Sequence, residues 1–258
     1  MTSDLTLVES GPAAGRPVLV LHGGGGPATV TPIAEHFATS AHTLLPTHPG
    51  WNGTPRPADF STVADLAAAY LRLLRERGLS DVLVIGSSLG GWIAAELATA
   101  DTQGLISGIV LLNSVGIEVD SEPLRDFFAL DARGVAEYAF HDSERFYVDP
   151  ETVPAERRAV IQANMAALRV FSGGPAMSEP TLRPRLSAVT VPTLVLWGES
   201  DRIATPAYGK EYAASFADAR FEVVAEAGHL PHLEQPARTF ALLDDFAAET
   251  GRRREAGS

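Results

Sequence analysis

The segment Val82-Leu83-Val84-Ile85-Gly86-Ser87-Ser88-Leu89-Gly90-Gly91 does most to limit what this chain can become. A short apolar run ends in a Gly-x-Ser-x-Gly frame, and a helical pattern (Leu89, Trp92, Ile93, Ala94, Leu97) begins at once. A strand that turns into a helix this sharply holds Ser88 in a strained conformation, with its hydroxyl pushed out at the sheet edge. Gly86 and Gly90 are needed because a Cβ at either position would meet neighbouring backbone. The following helix aims its positive end and its free N–H groups at the same point. Ser88 is therefore a candidate nucleophile. The competing reading is a glycine-rich turn of a doubly wound sheet with an incidental serine.

Two further segments weigh in. In Pro17-Val18-Leu19-Val20-Leu21-His22, the apolar run breaks into four glycines, Gly23 to Gly26, where backbone can approach a ligand closely and present N–H groups. No Gly-Lys-Ser/Thr follows and Gly-x-Gly-x-x-Gly spacing is absent, so a phosphate cradle is disfavoured. A backbone donor for an oxyanion, paired with the N–H of Leu89, is the better use. Farther on, Thr193-Leu194-Val195-Leu196-Trp197 reads as a buried strand leading to Glu199 and Asp201. Phe221 to Val224 reads as the next strand, leading to Gly228-His229-Leu230-Pro231-His232. An acid and a histidine just past the carboxyl ends of strands fall on the sheet edge that carries Ser88, where open α/β sheets place their sites.

With those residues in view, the chain resembles the α/β-hydrolase fold enzymes over most of its length. The likeness includes His22-Gly23-Gly24, His48-Pro49-Gly50-Trp51-Asn52-Gly53, the Ser88 turn, Gly198-x-x-Asp201 and Gly228-His229-x-Pro231. The chain order of serine, acid and histidine is the one that fold uses. The resemblance implies Ser88 as nucleophile, His229 as base, Asp201 as acid, and the N–H groups of Gly24 and Leu89 as oxyanion donors. Gly25 and Leu230, beside them, are candidate substrate contacts. Glu199 competes with Asp201 as the acid, and Glu118 and Asp120 are weaker alternatives. His22 and His48 are expected to hydrogen-bond within turns, and Glu234 to serve a helix dipole or an ion pair. His229-x-x-His232 with Asp201 could suggest zinc, but neither His-Glu-x-x-His nor any cysteine is present, so no metal is expected.

The 258 residues, 45% of them hydrophobic, can bury a full core as one α/β domain. No run reaches the length of a membrane-spanning helix, so no membrane partner is expected. Met1-Thr2-Ser3-Asp4 shows no signal-peptide pattern, and a cytoplasmic location is expected. The absence of cysteine removes disulfides and a thiol nucleophile. A formal net charge of −12 argues against nucleic acid, whose phosphates would be repelled. The remaining partner is a small-molecule substrate, and the sequence does not fix an oligomeric state.

Strands are expected at Thr6–Glu9, Val18–Leu21, Thr43–Leu45, Val82–Ile85, Ile109–Leu112, Leu194–Trp197 and Phe221–Val224. These short runs suit a mostly parallel, doubly wound sheet covered on both faces by helices. Ser61 is an N-cap candidate for a helix carrying Val63, Leu66, Tyr70, Leu73 and Leu74, and a closing helix is expected from about Pro236 to Glu249. Between Ser114 and Val189 the alternation fails, helical spacing such as Ile161, Met165 and Leu168 takes over, and seven aromatics appear: Phe127, Phe128, Tyr138, Phe140, Phe146, Tyr147 and Phe171. So long a structureless loop is improbable in a compact domain. The expected organisation is an α/β core of residues 1–114 and 189–250, a helical cap of 115–188 and a disordered tail of 251–258. Two or three of the aromatics are expected to line an apolar pocket over Ser88.

The resemblance implies an acyl-enzyme reaction that needs only water, hence no cofactor. The expected activity is hydrolysis of a carboxylic ester, lactone or thioester with an apolar group. Met177-Ser178-Glu179-Pro180-x-Leu182 and Pro192 to Glu199 resemble the meta-cleavage product hydrolases, which makes carbon–carbon cleavage an alternative. Ser87 and Leu230 depart from that pattern, which usually has asparagine and tryptophan there. A cofactor-free perhydrolase or haloperoxidase-like enzyme is a third possibility for the same triad. A ligand receptor that keeps the triad but turns over slowly is a fourth, from outside the enzymes.

Overall fold

The computed structural model describes residues 5–255. Its strands are β1 (Thr6–Ser10), β2 (Pro17–Leu21), β3 (His42–Thr47), β4 (Val82–Ser87), β5 (Ile106–Leu112), β6 (Thr193–Gly198) and β7 (Ala219–Val224). They form one sheet in the order β1-β3-β2-β4-β5-β6-β7, with β1 antiparallel to β3 and every other pair parallel. The helices are α1 (Thr31–Phe37), α2 (Val63–Glu76), α3 (Leu89–Ala100), α4 (Ala132–Ala139), α5 (Ser143–Phe146), α6 (Ala155–Phe171), α7 (Leu182–Leu186), α8 (Pro206–Ala214), α9 (Pro231–Glu234) and α10 (Pro236–Glu255).

Successive strand residues point to opposite faces of a sheet, and here both directions meet apolar layers. Val82 and Val84 join Leu66, Tyr70, Ile93 and Leu97 on the face covered by α2 and α3. Leu83 and Ile85 join Ile33, Phe37, Leu243 and Phe246 beneath α1 and α10. That is why the central strands read as unbroken apolar runs rather than alternating ones.

The strand order also fixes where a site can form. From β2 the chain moves outward to β3, then returns to place β4 on the other side of β2. The connections leaving β2 and β4 thus diverge, and a crevice opens at the carboxyl ends of these two strands. The loop after β2 is His22–Gly26, and the residue after β4 is Ser88.

Residues 127–186 contribute no strand to the sheet. They form a helical insert carried between β5 and β6, with a single parallel bridge, Gly116 to Ser178, at its base. Among the described residues, no helix is long and apolar enough to cross a membrane.

Three details differ from expectation. Helix α2 is capped by Thr62, not Ser61: the Thr62 hydroxyl accepts from the Asp65 N–H while Asp65 accepts from the Thr62 N–H, a reciprocal capping box. The Ile161, Met165 and Leu168 spacing does fall on helix α6, but Ile161 is exposed, and the buried face of α6 is Asn164, Ala167, Leu168 and Phe171. The tail expected from 251 is helical as far as Glu255. Phe246 and Thr250 anchor α10, Thr250 by accepting from Arg16, and extending an anchored helix by another turn costs little. Residues 256–258, and the Met1–Asp4 stretch read for a leader, lie outside the described residues.

Candidate active site

Ser88 stands between β4 and α3 with φ 56° and ψ −118°, a region that L-residues seldom occupy. Its N–H donates to the Leu112 carbonyl at 2.9 Å, and its own carbonyl accepts the first helical bonds of α3. The turn closes only because Gly86 and Gly90 lack side chains: a Cβ on Gly86 would collide with the Gly90 carbonyl, and one on Gly90 with the Leu21 carbonyl. Leu89, the first residue of α3, is buried, and its N–H belongs to the helical turn that has no intrahelical acceptor.

Asp201 follows β6 and His229 follows β7, and the structure brings them together at 2.8 Å between Oδ2 and Nδ1. The Asp201 carboxylate is fully buried and accepts four hydrogen bonds: Oδ1 from the Ile203 and Ala204 N–H groups, Oδ2 from His229 and from the Asn113 amide at 2.7 Å. With its Nδ1–H committed to Asp201, the His229 ring keeps a lone pair on Nε2, and both His229 and Ser88 line one cavity. The competing acids do not reach it. Glu199 is exposed and accepts from the Glu226 N–H at 3.3 Å, while Glu118 and Asp120 are exposed on the surface.

Asn113 escaped the sequence reading. It lies immediately beyond β5, has φ 45°, and ties that point to the end of β6 by donating to Asp201 while accepting from the Gly198 N–H. A polar residue at the first position past a buried strand was the available signal.

The loop after β2 is held from below. His48 Nε2 donates to the His22 carbonyl at 2.9 Å, His22 Nδ1 to the Gly23 carbonyl at 2.7 Å, and Trp51 Nε1 to the Gly24 carbonyl at 2.9 Å. The tautomers follow from these bonds: His22 Nε2 accepts from the His48 N–H, and His48 Nδ1 accepts from the Tyr70 hydroxyl. In a trans peptide the carbonyl and the next N–H point in opposite directions. Anchoring the Gly23 and Gly24 carbonyls therefore turns the Gly24 and Gly25 N–H groups away from the anchors, on a loop that lines the cavity. Gly23 lies so near Ser88 that an added Cβ would stand 2.9 Å from the Ser88 Cβ.

Both of these buried rings are neutral. Burial pushes His48 down to about 4 and His22 well below the ordinary histidine range, and His232, whose Nε2 donates to the Thr29 carbonyl, is likewise held to about 4. For His48 and His232 the unfolded chain takes up a proton near pH 6.5, while the folded chain refuses it until near pH 4. Stability is thus complete above pH 6.5 and falls as the pH drops toward 4, by roughly 3 kcal/mol for each of His48 and His232. Urea midpoints should fall across this range, and the His48 and His232 ring resonances should not titrate above pH 5. Titration of either near 6.5 in the folded protein would refute the assignment.

The cavity over Ser88 has a volume of about 180 Å³ and is roofed by the insert: Phe127, Val135, Phe140 and Leu168 reach it from above. Gly24, Gly25 and Leu230 line it as well, so the expected substrate contacts fall on its wall. Past Gly25, Phe127, Val135 and Phe140, which border both spaces, lies an outer cavity of about 560 Å³ that includes Phe128, Phe146, Ile161, Arg158 and Arg169. Of the seven aromatics, Phe127 and Phe140 face Ser88's cavity, Phe128 and Phe146 the outer one, and Phe171 packs on Trp51. Tyr138 and Tyr147 lie under Arg125 and Arg133. Helix α6 is locked to the loop below by a reciprocal amide pair, Asn164 Oδ1 accepting from the Asn52 N–H at 2.8 Å and Asn164 Nδ2 donating to Asn52 Oδ1 at 3.1 Å.

Comparison with known proteins shows the family and the fold. The profile described as "Alpha/beta hydrolase family" matches residues 18–242. The chain is 30% identical over 242 residues to the dihydrolipoyllysine-residue acetyltransferase component of an acetoin cleaving system from Cupriavidus necator, covering 88% of this chain and 62% of that longer protein. It is 25% identical over 262 residues to 2-hydroxymuconate semialdehyde hydrolase from Pseudomonas sp. (strain CF600), covering 92% and 88% of the two chains. Among solved structures, a thermophilic esterase from Thermogutta terrifontis superposes with a TM-score of 0.75 at 22% identity, covering 95% of this chain and 93% of the other.

Proposed function

Since the chain belongs to the alpha/beta hydrolase family, we propose that it hydrolyses a carboxylic ester bearing an apolar acyl or alcohol group, through an acyl-enzyme on Ser88. The observation that carries this reading is the pairing of a fully satisfied, buried Asp201 with His229, whose free Nε2 shares an apolar cavity with a strained serine. Ser88 Oγ adds to the ester carbonyl as His229 Nε2 takes its proton, and Asp201 stabilises the imidazolium that results. The N–H groups of Gly24 and Leu89 receive the charge on the carbonyl oxygen. His229 returns the proton to the departing alcohol. Water, deprotonated by the same nitrogen, then releases the acid and restores Ser88. In this reading residues 115–188 act as a cap over a core of 1–114 and 189–250, and the cap supplies the specificity surface.

The apolar roof sets the expected substrate preference. Each buried methylene contributes up to about 0.8 kcal/mol, so kcat/KM should rise nearly fourfold per methylene from acetyl to hexanoyl p-nitrophenyl esters until the space is filled. Val135→Trp, at the border of the two cavities, should depress the hexanoyl ester more than the acetyl ester. A flat series would sink the proposal for the roof.

Carbon–carbon hydrolysis is the second reading. The similarity to 2-hydroxymuconate semialdehyde hydrolase favours it, and Arg158 and Arg169 in the outer cavity offer cations to a substrate carboxylate. A dienone acid included in the same assay decides between them: turnover exceeding that of every ester would replace the first reading by the second.

A further inference from the structure

We infer that Glu234 is a positioning residue, which clamps the loop carrying His229 to the helical insert and so keeps the His229 ring in line with Ser88. The inference rests on the proposed roles of Ser88, Asp201 and His229. Glu234 ends the short helix α9 and is buried, at 9% exposure. Its expected part in an ion pair is not what the structure holds: among the described residues its carboxylate meets three backbone N–H groups instead. Oε2 accepts from Gly228, the residue before His229. Oε1 accepts from His141 at 2.8 Å and from Asp142 at 3.0 Å, both in the link between α4 and α5.

The surrounding backbone bonds make this joint part of the site. The His229 N–H donates to the Ala139 carbonyl at 2.6 Å, and the Arg202 N–H, next to Asp201, donates to the Tyr138 carbonyl at 2.9 Å. Residues 138–142 thus run between the acid loop and the histidine loop and bond to both. The approach is so close that a Cβ on Gly228 would collide with the Ala139 carbonyl. Helix α9 is itself fixed, because His232 donates to the Thr29 carbonyl at 2.7 Å on the wall of the cavity. A carboxylate has acceptor capacity for both sides of this joint at once, whereas an amide has a single oxygen. In Glu234→Gln one side must face an NH2 group, leaving a buried N–H donor without an acceptor.

Three readouts test the clamp: kcat and KM on acetyl and hexanoyl esters, the rate at which an organophosphate p-nitrophenyl ester phosphorylates Ser88, and the downfield proton resonance of the Asp201–His229 hydrogen bond. A displacement of a reacting group on the order of 1 Å costs about 100-fold, so Glu234→Gln should lower kcat on both esters by a common factor of roughly 10- to 100-fold. KM should hold, Ser88 phosphorylation should slow by the same factor, and the downfield resonance should shift or vanish. An unchanged kcat on the acetyl ester with a raised KM on the hexanoyl ester would show that Glu234 only seats the insert, and would overturn the inference. Glu234→Asp keeps the charge but is one methylene too short to span the joint. It should show the same pattern, and wild-type kinetics in it would also overturn the inference. In the wild-type protein the Gly228, His141 and Asp142 amides should exchange with solvent as one unit; independent exchange of Gly228 rules out the clamp even if neither variant folds. Failure of the wild-type protein to be phosphorylated at Ser88 would instead remove the triad reading, and the role of Glu234 with it.

Discussion

Ser88→Ala should abolish turnover, lowering kcat by about a million-fold as removal of a triad serine does elsewhere, while the protein stays folded. The expectation of an intact fold is structural. Alanine keeps the Cβ that already occupies this position, so the backbone at φ 56° is no more strained than before, and the space left by a hydroxyl is small. All acylation chemistry is lost, because the other hydroxyls lining the cavity are otherwise placed: Ser87 is buried at the end of β4, Thr29 donates its hydroxyl to the Gly26 carbonyl at 2.7 Å, and the chain has no cysteine. The measurement is steady-state hydrolysis of the best ester, with mass spectrometry of the organophosphate-treated protein to show that the label is gone. A variant keeping a tenth of wild-type activity would disprove the nucleophile assignment.

Asp201→Asn should cost roughly four orders of magnitude in kcat, the scale seen when a triad aspartate becomes an amide. Here the hydrogen bonds dictate why. The oxygen facing Ile203 and Ala204 accepts two backbone N–H groups, so the new amide must keep its carbonyl there. Its NH2 then points at Asn113 and at His229 Nδ1, where the native carboxylate oxygen accepted from both. His229 relieves the clash by moving its proton to Nε2, which leaves that nitrogen no lone pair to take the Ser88 proton. Glu199→Gln, on an exposed side chain, should change kcat by far less. The reverse ranking of the two variants would transfer the acid role to Glu199.

The parts of this molecule governed by local rules were legible in the sequence. The Gly86-x-Ser88-x-Gly90 turn, the seven apolar runs and the loops ending at Asp201 and His229 each depend on a few adjacent residues, and each was found at its expected place. The helical insert was legible as a failure of alternation joined to helical spacing and a run of aromatics. What stayed hidden depends on long-range contact. Asn113 and Asp201 are 88 positions apart, and nothing local to Asn113 announces that its amide will meet a carboxylate. Asn164 and Leu168 look like ordinary helix residues until α6 is laid on two separate loops, with Asn164 meeting Asn52 after β3 and Leu168 meeting Gly24 after β2. The distinction between Ser61 and Thr62 as a cap turns on a single residue of register, since both are hydroxyl residues just ahead of the same apolar pattern. Glu234 reads as a dipole or ion-pair charge because carboxylates are rarely buried without a cation, and backbone donors do not show in a sequence.

The strained backbone at Ser88 has a consequence for how such a protein can change over time. A non-glycine residue held in that region costs of order 1–3 kcal/mol, and the surrounding sheet and helix must supply it from a total stability of only about 5–15 kcal/mol. Glycine would relieve that strain and fold more securely, at the loss of the hydroxyl to which we assign the nucleophile's role. Position 88 is therefore one where selection for durability and selection for activity pull in opposite directions. Mutations that loosen the neighbouring layers are tolerated only while enough stability remains to hold the serine in place. If the insert supplies the specificity surface as proposed, drift toward new substrates would be channelled away from the elbow to insert side chains such as Phe128 and Phe146, which line the outer cavity and are not among the buried core.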